Sequence, residues 1–149
     1  MFRVVERIST QKLTAIPKDA LCELAQTVMD MELEGLEGDL VQAGGGPGAA
    51  LVMESAKRRG RVLVVLKAPY EETVLSGNEL ALAHLDFGEY EPIRLLLERL
   101  VPRLVPGGRL IVDDYRTRDE CKKAVDDYFR GKKGFQLVRY SRLHVIRNY

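Results

Sequence analysis

Arg61-Val62-Leu63-Val64-Val65-Leu66 sets five Val or Leu residues in a row behind one arginine, with no polar residue alternating among them. A strand with one wet face alternates apolar and polar side chains. An unbroken apolar run suits a strand covered on both faces, the usual environment of a parallel sheet. Arg109-Leu110-Ile111-Val112 has the same character, and Glu79 to Asp86 reads as a further buried strand. Parallel neighbours need crossover connections, normally helices, and helical spacing stands where such crossovers belong.

Upstream, apolar residues from Ala20 to Met31 recur at helical spacing within Pro17 to Glu34, a helix opened by proline and closed by Gly35. Gly38 to Ala43 is a short strand running into Gly44-Gly45-Gly46-Pro47-Gly48, and a second helix spans about Ala49 to Arg59. Downstream, Ile93 to Leu104 is a leucine-rich helix, Pro106-Gly107-Gly108 a turn, and Arg118 to Arg130 a charged surface helix with Cys121, Val125 and Phe129 inward. The tail from Phe135 to Tyr149 alternates apolar and polar residues, which predicts an antiparallel hairpin turning near Tyr140-Ser141-Arg142. The expected fold class is α/β: a reduced Rossmann-like sheet, mostly parallel, with a C-terminal antiparallel hairpin and helices on both faces.

The 149 residues, 46% hydrophobic and 30% charged, suffice for one core and not two, so a single domain over 1–149 is expected, with 1–37 as its N-terminal helical segment. Lys+Arg 23 against Asp+Glu 22 leaves a net charge of +1, too weak a field for a general binder of nucleic acid or anionic membrane. No apolar run approaches the roughly 20 residues that cross a bilayer, and Met1 to Gln11 is too mixed in charge for a secretory signal. A cytoplasmic protein is expected. Cys22 and Cys121 lie far apart with no CxxC spacing, which predicts reduced structural thiols.

In open α/β sheets ligands settle beyond the carboxyl ends of the strands, where helix N-termini converge. The glycine-rich turn after the first strand lacks the Lys and Ser/Thr of a P-loop, so nucleoside triphosphate chemistry is not indicated. Asp86, Asp113 and Asp114 follow later strands. If those strands are neighbours, three carboxylates converge at one rim, where a divalent cation such as Mg²⁺ would relieve their repulsion. The blander alternative is that Asp113 caps the following turn and Asp114 is solvated.

Gly38-Asp39-Leu40-Val41 before a glycine-rich loop, Leu85-Asp86 before Tyr90-Glu91, and above all Pro106 to Tyr115 with Cys121 to Tyr128 resemble the macrocin O-methyltransferase (TylF-type) family, from about Thr14 to the hairpin with one gap. The resemblance implies a Rossmann-like methyltransferase fold using S-adenosylmethionine and Mg²⁺ to methylate a hydroxyl of a small, sugar-bearing molecule. It assigns Gln42, Gly44, Gly45, Gly46 and Gly48 to the cofactor, Asp86 to metal ligation and general base catalysis, and Asp113 and Asp114 to the metal.

Four departures from the family pattern stand out. Gln42-Ala43-Gly44 replaces its Glu-Cys-Gly, and Leu66-Lys67-Ala68 stands where a carboxylate usually holds the ribose hydroxyls, with Glu71 or Glu72 as candidate substitutes. Pro69 to Asn78 is too short for the strand-helix unit the family inserts there. The Asp-Gly-Asp pattern is also absent, although Glu89 offers a carboxylate nearby. These departures support a second reading, a degenerate methyltransferase fold without cofactor that serves as an interaction or assembly module.

His84 and His144 read as packed residues rather than catalysts. Lys57-Arg58-Arg59 with Arg61 reads as a basic helix C-terminus, and Tyr90 and Tyr115 read either as borders of a substrate pocket or as rings packed on the sheet rim. The leucine row of Ile93 to Leu104, beside a reduced sheet, predicts an uncovered apolar face and self-association into a homo-oligomer.

Overall fold

A computed structural model describes residues 2–11, 16–70, 75 and 77–149. Helix α1 (Phe2–Thr10) and helix α2 (Lys18–Leu33) precede strand β1 (Asp39–Gly44), helix α3 (Gly46–Ala56) and strand β2 (Leu63–Leu66). Strand β3 (Leu80–Asp86), helix α4 (Tyr90–Leu100), a 3-10 turn (Val101–Arg103), strand β4 (Leu104–Val112) and helix α5 (Asp119–Phe129) come next. Strands β5 (Phe135–Arg139) and β6 (Leu143–Arg147) close the chain. The sheet order is β2-β1-β3-β4-β6-β5, with β1, β2, β3 and β4 parallel and β6 antiparallel to both β4 and β5. The α/β sheet with its terminal hairpin is as the apolar pattern predicts.

Two apolar cores lie on opposite faces of this sheet. Leu24, Val28, Leu40, Val52, Met53, Leu82 and Ile111 form one beneath α1, α2 and α3; Val41, Leu85, Leu97, Leu110, Val125 and Val145 form the other beneath α4 and α5. Period-2 alternation explains the split, because Leu40 and Val41, or Ile111 and Val112, point to opposite faces. By the same alternation His84, two residues after Leu82, faces the α1–α3 layer.

Three expectations need correction. The hexapeptide that announces the parallel sheet is not covered on both faces: β2 is the edge strand, and Val62 and Val65 are each 48% exposed. Its pairing with β1 is parallel as expected, but among the described residues no strand pairs with its outer edge to shield it. The Pro106-Gly107-Gly108 turn is instead absorbed into β4, where the pairing with β3 shifts register between Leu80 and Leu82. The uncovered leucine face is not on α4, whose Ile93, Leu96, Leu97 and Leu100 are fully buried between the sheet and α5; exposed large apolar side chains lie instead at Leu33, Leu51, Val62 and Val65, among others. Among the described residues no helix is long and apolar enough to cross a membrane.

Arg61 is no helix cap. Its side chain is buried, its guanidinium forks onto the Glu32 carboxylate at 2.6 and 2.9 Å, and it also donates to the carbonyls of Leu36 and Gly38. One arginine thus ties the end of α2 to the entries of β1 and β2. Neighbouring Arg58 pairs with Glu37, and its backbone N–H donates to Glu32. Removing one partner of a buried pair leaves the other charge and the carbonyls without compensation. Arg61→Ala is expected to lower unfolding free energy by about 3 kcal/mol, read from urea denaturation midpoints; Arg61→Lys is expected to restore less than half, because an ammonium cannot form the bidentate fork.

Candidate active site

Parallel strands that start together also end together. The register pairs Gly44 of β1 with Asp86 of β3, and the N–H of Asp113, just past β4, donates to the carbonyl of Leu85 at 3.0 Å. Gly44, Asp86 and Asp113 therefore form one row at the carboxyl rim. One row deeper, Gln42 pairs with His84, His84 with Ile111, and Ile111 with His144 of β6.

The deeper row is polar although buried. His84 is 1% exposed; its Nδ1 lies 2.7 Å from Gln42 Oε1 and its Nε2 2.8 Å from Asp113 Oδ1. The Gln42 amide nitrogen donates to the Gly44 carbonyl at 2.9 Å, which fixes the amide so that its oxygen accepts from His84. Both ring nitrogens of His84 thus face oxygen acceptors. The expectation of a packed histidine misses this role. Its only signal in the sequence is the i, i+2 spacing of His84 and Asp86, which puts both on one face.

Asp86 and Asp113, neighbours at the rim, differ in environment. Burial, then the charge of Asp113, pushes the Asp86 carboxyl up to about 6. No hydrogen bond to that carboxylate forms among the described residues. Burial acts on Asp113 in the same sense, but the hydrogen bond to His84 and the nearby charge of Arg142 outweigh it and hold its carboxyl below the usual carboxylate value. Arg142 Nε stands 3.5 Å from Asp113 Oδ2. Asp114 belongs to the turn: its carbonyl accepts from the N–H groups of Thr117 and Arg118, and Thr117 Oγ1 reaches its carboxylate at 3.4 Å. The alternative with Asp113 as cap is thereby reversed, since Asp114 caps and Asp113 is buried.

A second polar cluster adjoins this one. Arg109 Nη1 donates to His144 Nδ1 at 2.9 Å, so His144 donates from Nε2 to Glu23 Oε1 at 2.9 Å. Burial pushes His144 down to about 4. Ser141 Oγ also donates to Glu23, linking α2 to the hairpin turn.

The glycine turn serves Asp86 first. Gly44 and Gly45 have φ of 77° and 79°, and a Cβ on Gly44 would strike the Asp86 carbonyl oxygen, while one on Gly45 would lie 2.8 Å from Asp86 Oδ2. Only glycine lets the turn pass under the carboxylate. Beyond it, Gly44, Gly46, Leu51, Val65, Lys67 and Tyr70 line a mostly apolar groove of 720 Å³ between α3 and the β2 edge. That volume lies within the roughly 300–1,000 Å³ of small-ligand pockets. Of the five predicted cofactor residues, Gly44 and Gly46 reach the groove. Gln42 is fully buried against His84, Gly45 lies against Asp86, and Gly48 is buried within α3.

The residues fit S-adenosylmethionine in the glycine opening and the apolar wall. Lys67, exposed at the groove, offers no acceptor for ribose hydroxyls. Glu71 and Glu72 lie outside the described residues, and Glu54 of α3 is a carboxylate on the groove wall, paired with Lys57 at 3.1 Å. The residues do not fit Mg²⁺. Among the described residues no three His, Cys, Asp or Glu side chains gather as a metal-holding group; Asp113 has His84 and Arg142 on its oxygens, and Asp114 holds its turn. Glu89 is likewise committed, to Arg118 at 3.2 Å. Tyr90 and Tyr115 donate to Asp127 and Asp126 and anchor α5 rather than border a pocket. Burial pushes the Cys121 thiol up to about 12, so it is inert.

Comparison with known proteins places this geometry. The TylF macrocin-O-methyltransferase family matches residues 65–137, a stretch that includes Lys67, Asp86, Asp113 and Asp114. A Streptomyces olivaceus protein named 8-demethyl-8-(2,3-dimethoxy-alpha-L-rhamnosyl)-tetracenomycin-C 4'-O-methyltransferase is 51% identical over 55 residues, 37% of this chain. The matched stretch spans about a fifth of the length of that relative (20%). The solved structure of the O-methyltransferase NovP superposes with a TM-score of 0.76 at 21% identity, over 91% of this chain and 81% of that one. CalS11, a TDP-rhamnose 3'-O-methyltransferase, superposes with a TM-score of 0.60 at 15% identity, over 97% and 93% of the two chains. Residues 65–137 of this chain are thus similar to the TylF-type macrocin O-methyltransferase family, and the chain that carries them has the Rossmann-like methyltransferase fold.

Proposed function

We propose that this chain is an S-adenosylmethionine-dependent O-methyltransferase acting on a hydroxyl of a small, sugar-bearing molecule. The observation that carries the proposal is the position of Asp86: a half-buried carboxylate, without a hydrogen bond among the described residues, seated on the glycine turn that opens the groove. The rhamnosyl and TDP-rhamnose groups in the names of the relatives support a deoxysugar hydroxyl as acceptor.

When bound, S-adenosylmethionine supplies an electrophilic methyl group on a sulfonium sulfur. Gly44 and Gly46 would open the backbone to the cofactor, and Val65, Leu66 and Tyr70 would offer it an apolar wall. Asp86 takes the proton from the acceptor hydroxyl. A base held near 6 is ionised at neutral pH yet still binds a proton well, the compromise that general base catalysis requires. Asp113 is a positioning residue. Its fixed negative charge raises the basicity of Asp86, and His84 holds that charge in place. No step is routed through a divalent ion.

The open β2 edge and Lys67 are the observations that favour the module reading. Calorimetry with S-adenosylmethionine and with its demethylated product decides between the two: heat of binding supports the enzyme, and silence with both selects the module. Lys67→Asp is expected to tighten cofactor binding about tenfold, by supplying a hydroxyl acceptor and removing a charge that repels the sulfonium.

Asp86→Asn should separate catalysis from folding. Transfer of labelled methyl to a rhamnosyl acceptor is expected to fall by about 10²–10⁴-fold, with cofactor affinity unchanged. The folded protein holds the Asp86 proton up to about 6 and the unfolded chain only to about 3.8. The native state therefore binds the extra proton between those values, and the carboxylate costs stability once pH rises through about 6. Asp86→Asn is expected to be more stable than the wild type by about 2 kcal/mol near pH 8, with the difference gone near pH 3.5; urea midpoints across that range provide the check.

A further inference from the structure

We propose that Arg142, delivered by the turn between β5 and β6, holds the cation's place beside Asp113, so that Asp113 is charge-balanced by the chain itself without a divalent ion. The register makes this placement obligatory. Ile111 pairs with His144 and Val112 with Leu143, and one further antiparallel step sets Asp113 opposite Arg142. Opposite charges directly across a strand pair attract, and Arg142 Nε lies 3.5 Å from Asp113 Oδ2.

The guanidinium is held as well as placed. Its Nη1 donates to the Ser141 carbonyl at 3.0 Å, and Ser141 Oγ donates to Glu23, which also accepts from His144 of β6. Side-chain exposure is 20% for Arg142 and 6% for Asp113. His84 covers the other oxygen of Asp113 at 2.8 Å. A divalent ion seeking Asp113 would have to displace an imidazole or a guanidinium from a buried carboxylate. Asp114 does not complete a site with Asp86 and Asp113: its backbone carbonyl is bonded into the turn, and among the described residues no three His, Cys, Asp or Glu side chains gather as a metal-holding group. Divalent cations of the Mg²⁺ type take hard oxygen donors, and here the rim offers too few of them free.

The proposal shares its site with the methyl-transfer reading, but its test is independent of cofactor and acceptor. Manganese(II) added to the intact protein and followed by electron paramagnetic resonance is the probe. The wild type and Arg142→Lys are expected to leave the free-ion signal undiminished at millimolar manganese. Arg142→Gln, which uncovers Asp113, is expected to bind the ion, and the further change Asp113→Asn to abolish that binding. Manganese binding by the wild type overturns the proposal; so does absence of binding in both wild type and a folded Arg142→Gln, because the site would then be no cation site at all. Should Arg142→Gln fail to fold, thermal melting of the wild type decides: no shift with magnesium or EDTA is expected, and a shift with either overturns the proposal. Failure of cofactor calorimetry would count against methyl transfer and leave the manganese result standing.

Discussion

A carboxylate placed beneath a helical layer has lost most of its water and must find its charge balance inside the protein. Asp113 is that group, and much of its surroundings answers the need. His84 turns inward from the centre of β3 to meet one oxygen, Gln42 orients His84 from β1, and the hairpin brings Arg142 to the other oxygen. Four segments far apart in the chain are tied through one side chain. The same bond network leaves Asp86, a row beyond His84, beside the Asp113 carboxylate with no hydrogen bond of its own among the described residues, and that difference gives two similar residues different chemistry.

The glycine turn meets a second constraint. The chain leaving β1 must pass beneath Asp86, and a left-handed backbone with no Cβ is the way through. A loop that reads in the sequence as opened for a ligand is opened first for a carboxylate, and the groove shares the same turn. Gly44 serves both, while Gly45 lies against Asp86 and Gly46 lines the groove.

The short connection from Pro69 to Asn78 has consequences beyond its length. It leaves β2 at the edge with Val65 in water, and it leaves the 720 Å³ groove walled on one side by that strand. Lys67 stands at the same edge. The edge position of β2 and the open side of the groove therefore have one structural origin, with Arg61 and its fork onto Glu32 securing the entry to a strand that has a neighbour on one side only.

Short-range patterns were legible because they depend on local geometry. The apolar runs at Leu63–Leu66 and Leu110–Val112, the helical spacing before Leu33 and the alternation of the tail each reappear as the elements they imply, and the carboxylates after β3 and β4 do end neighbouring strands. Roles created by contact were not legible in the same way. Arg61 looks like any cation at a helix end, His84 like any packed residue, and Asp113 like half of an acidic pair. The sequence by itself determined which segments are strands, which are helices and that acidic residues end two of them, since periodicity is written in the order of side chains. Only the tertiary structure decided that Asp113 is hydrogen-bonded by His84 and paired with Arg142, that Asp114 serves its turn and that Asp86 is left without a hydrogen-bond partner among the described residues, because those outcomes depend on distances between residues that strand register alone brings together.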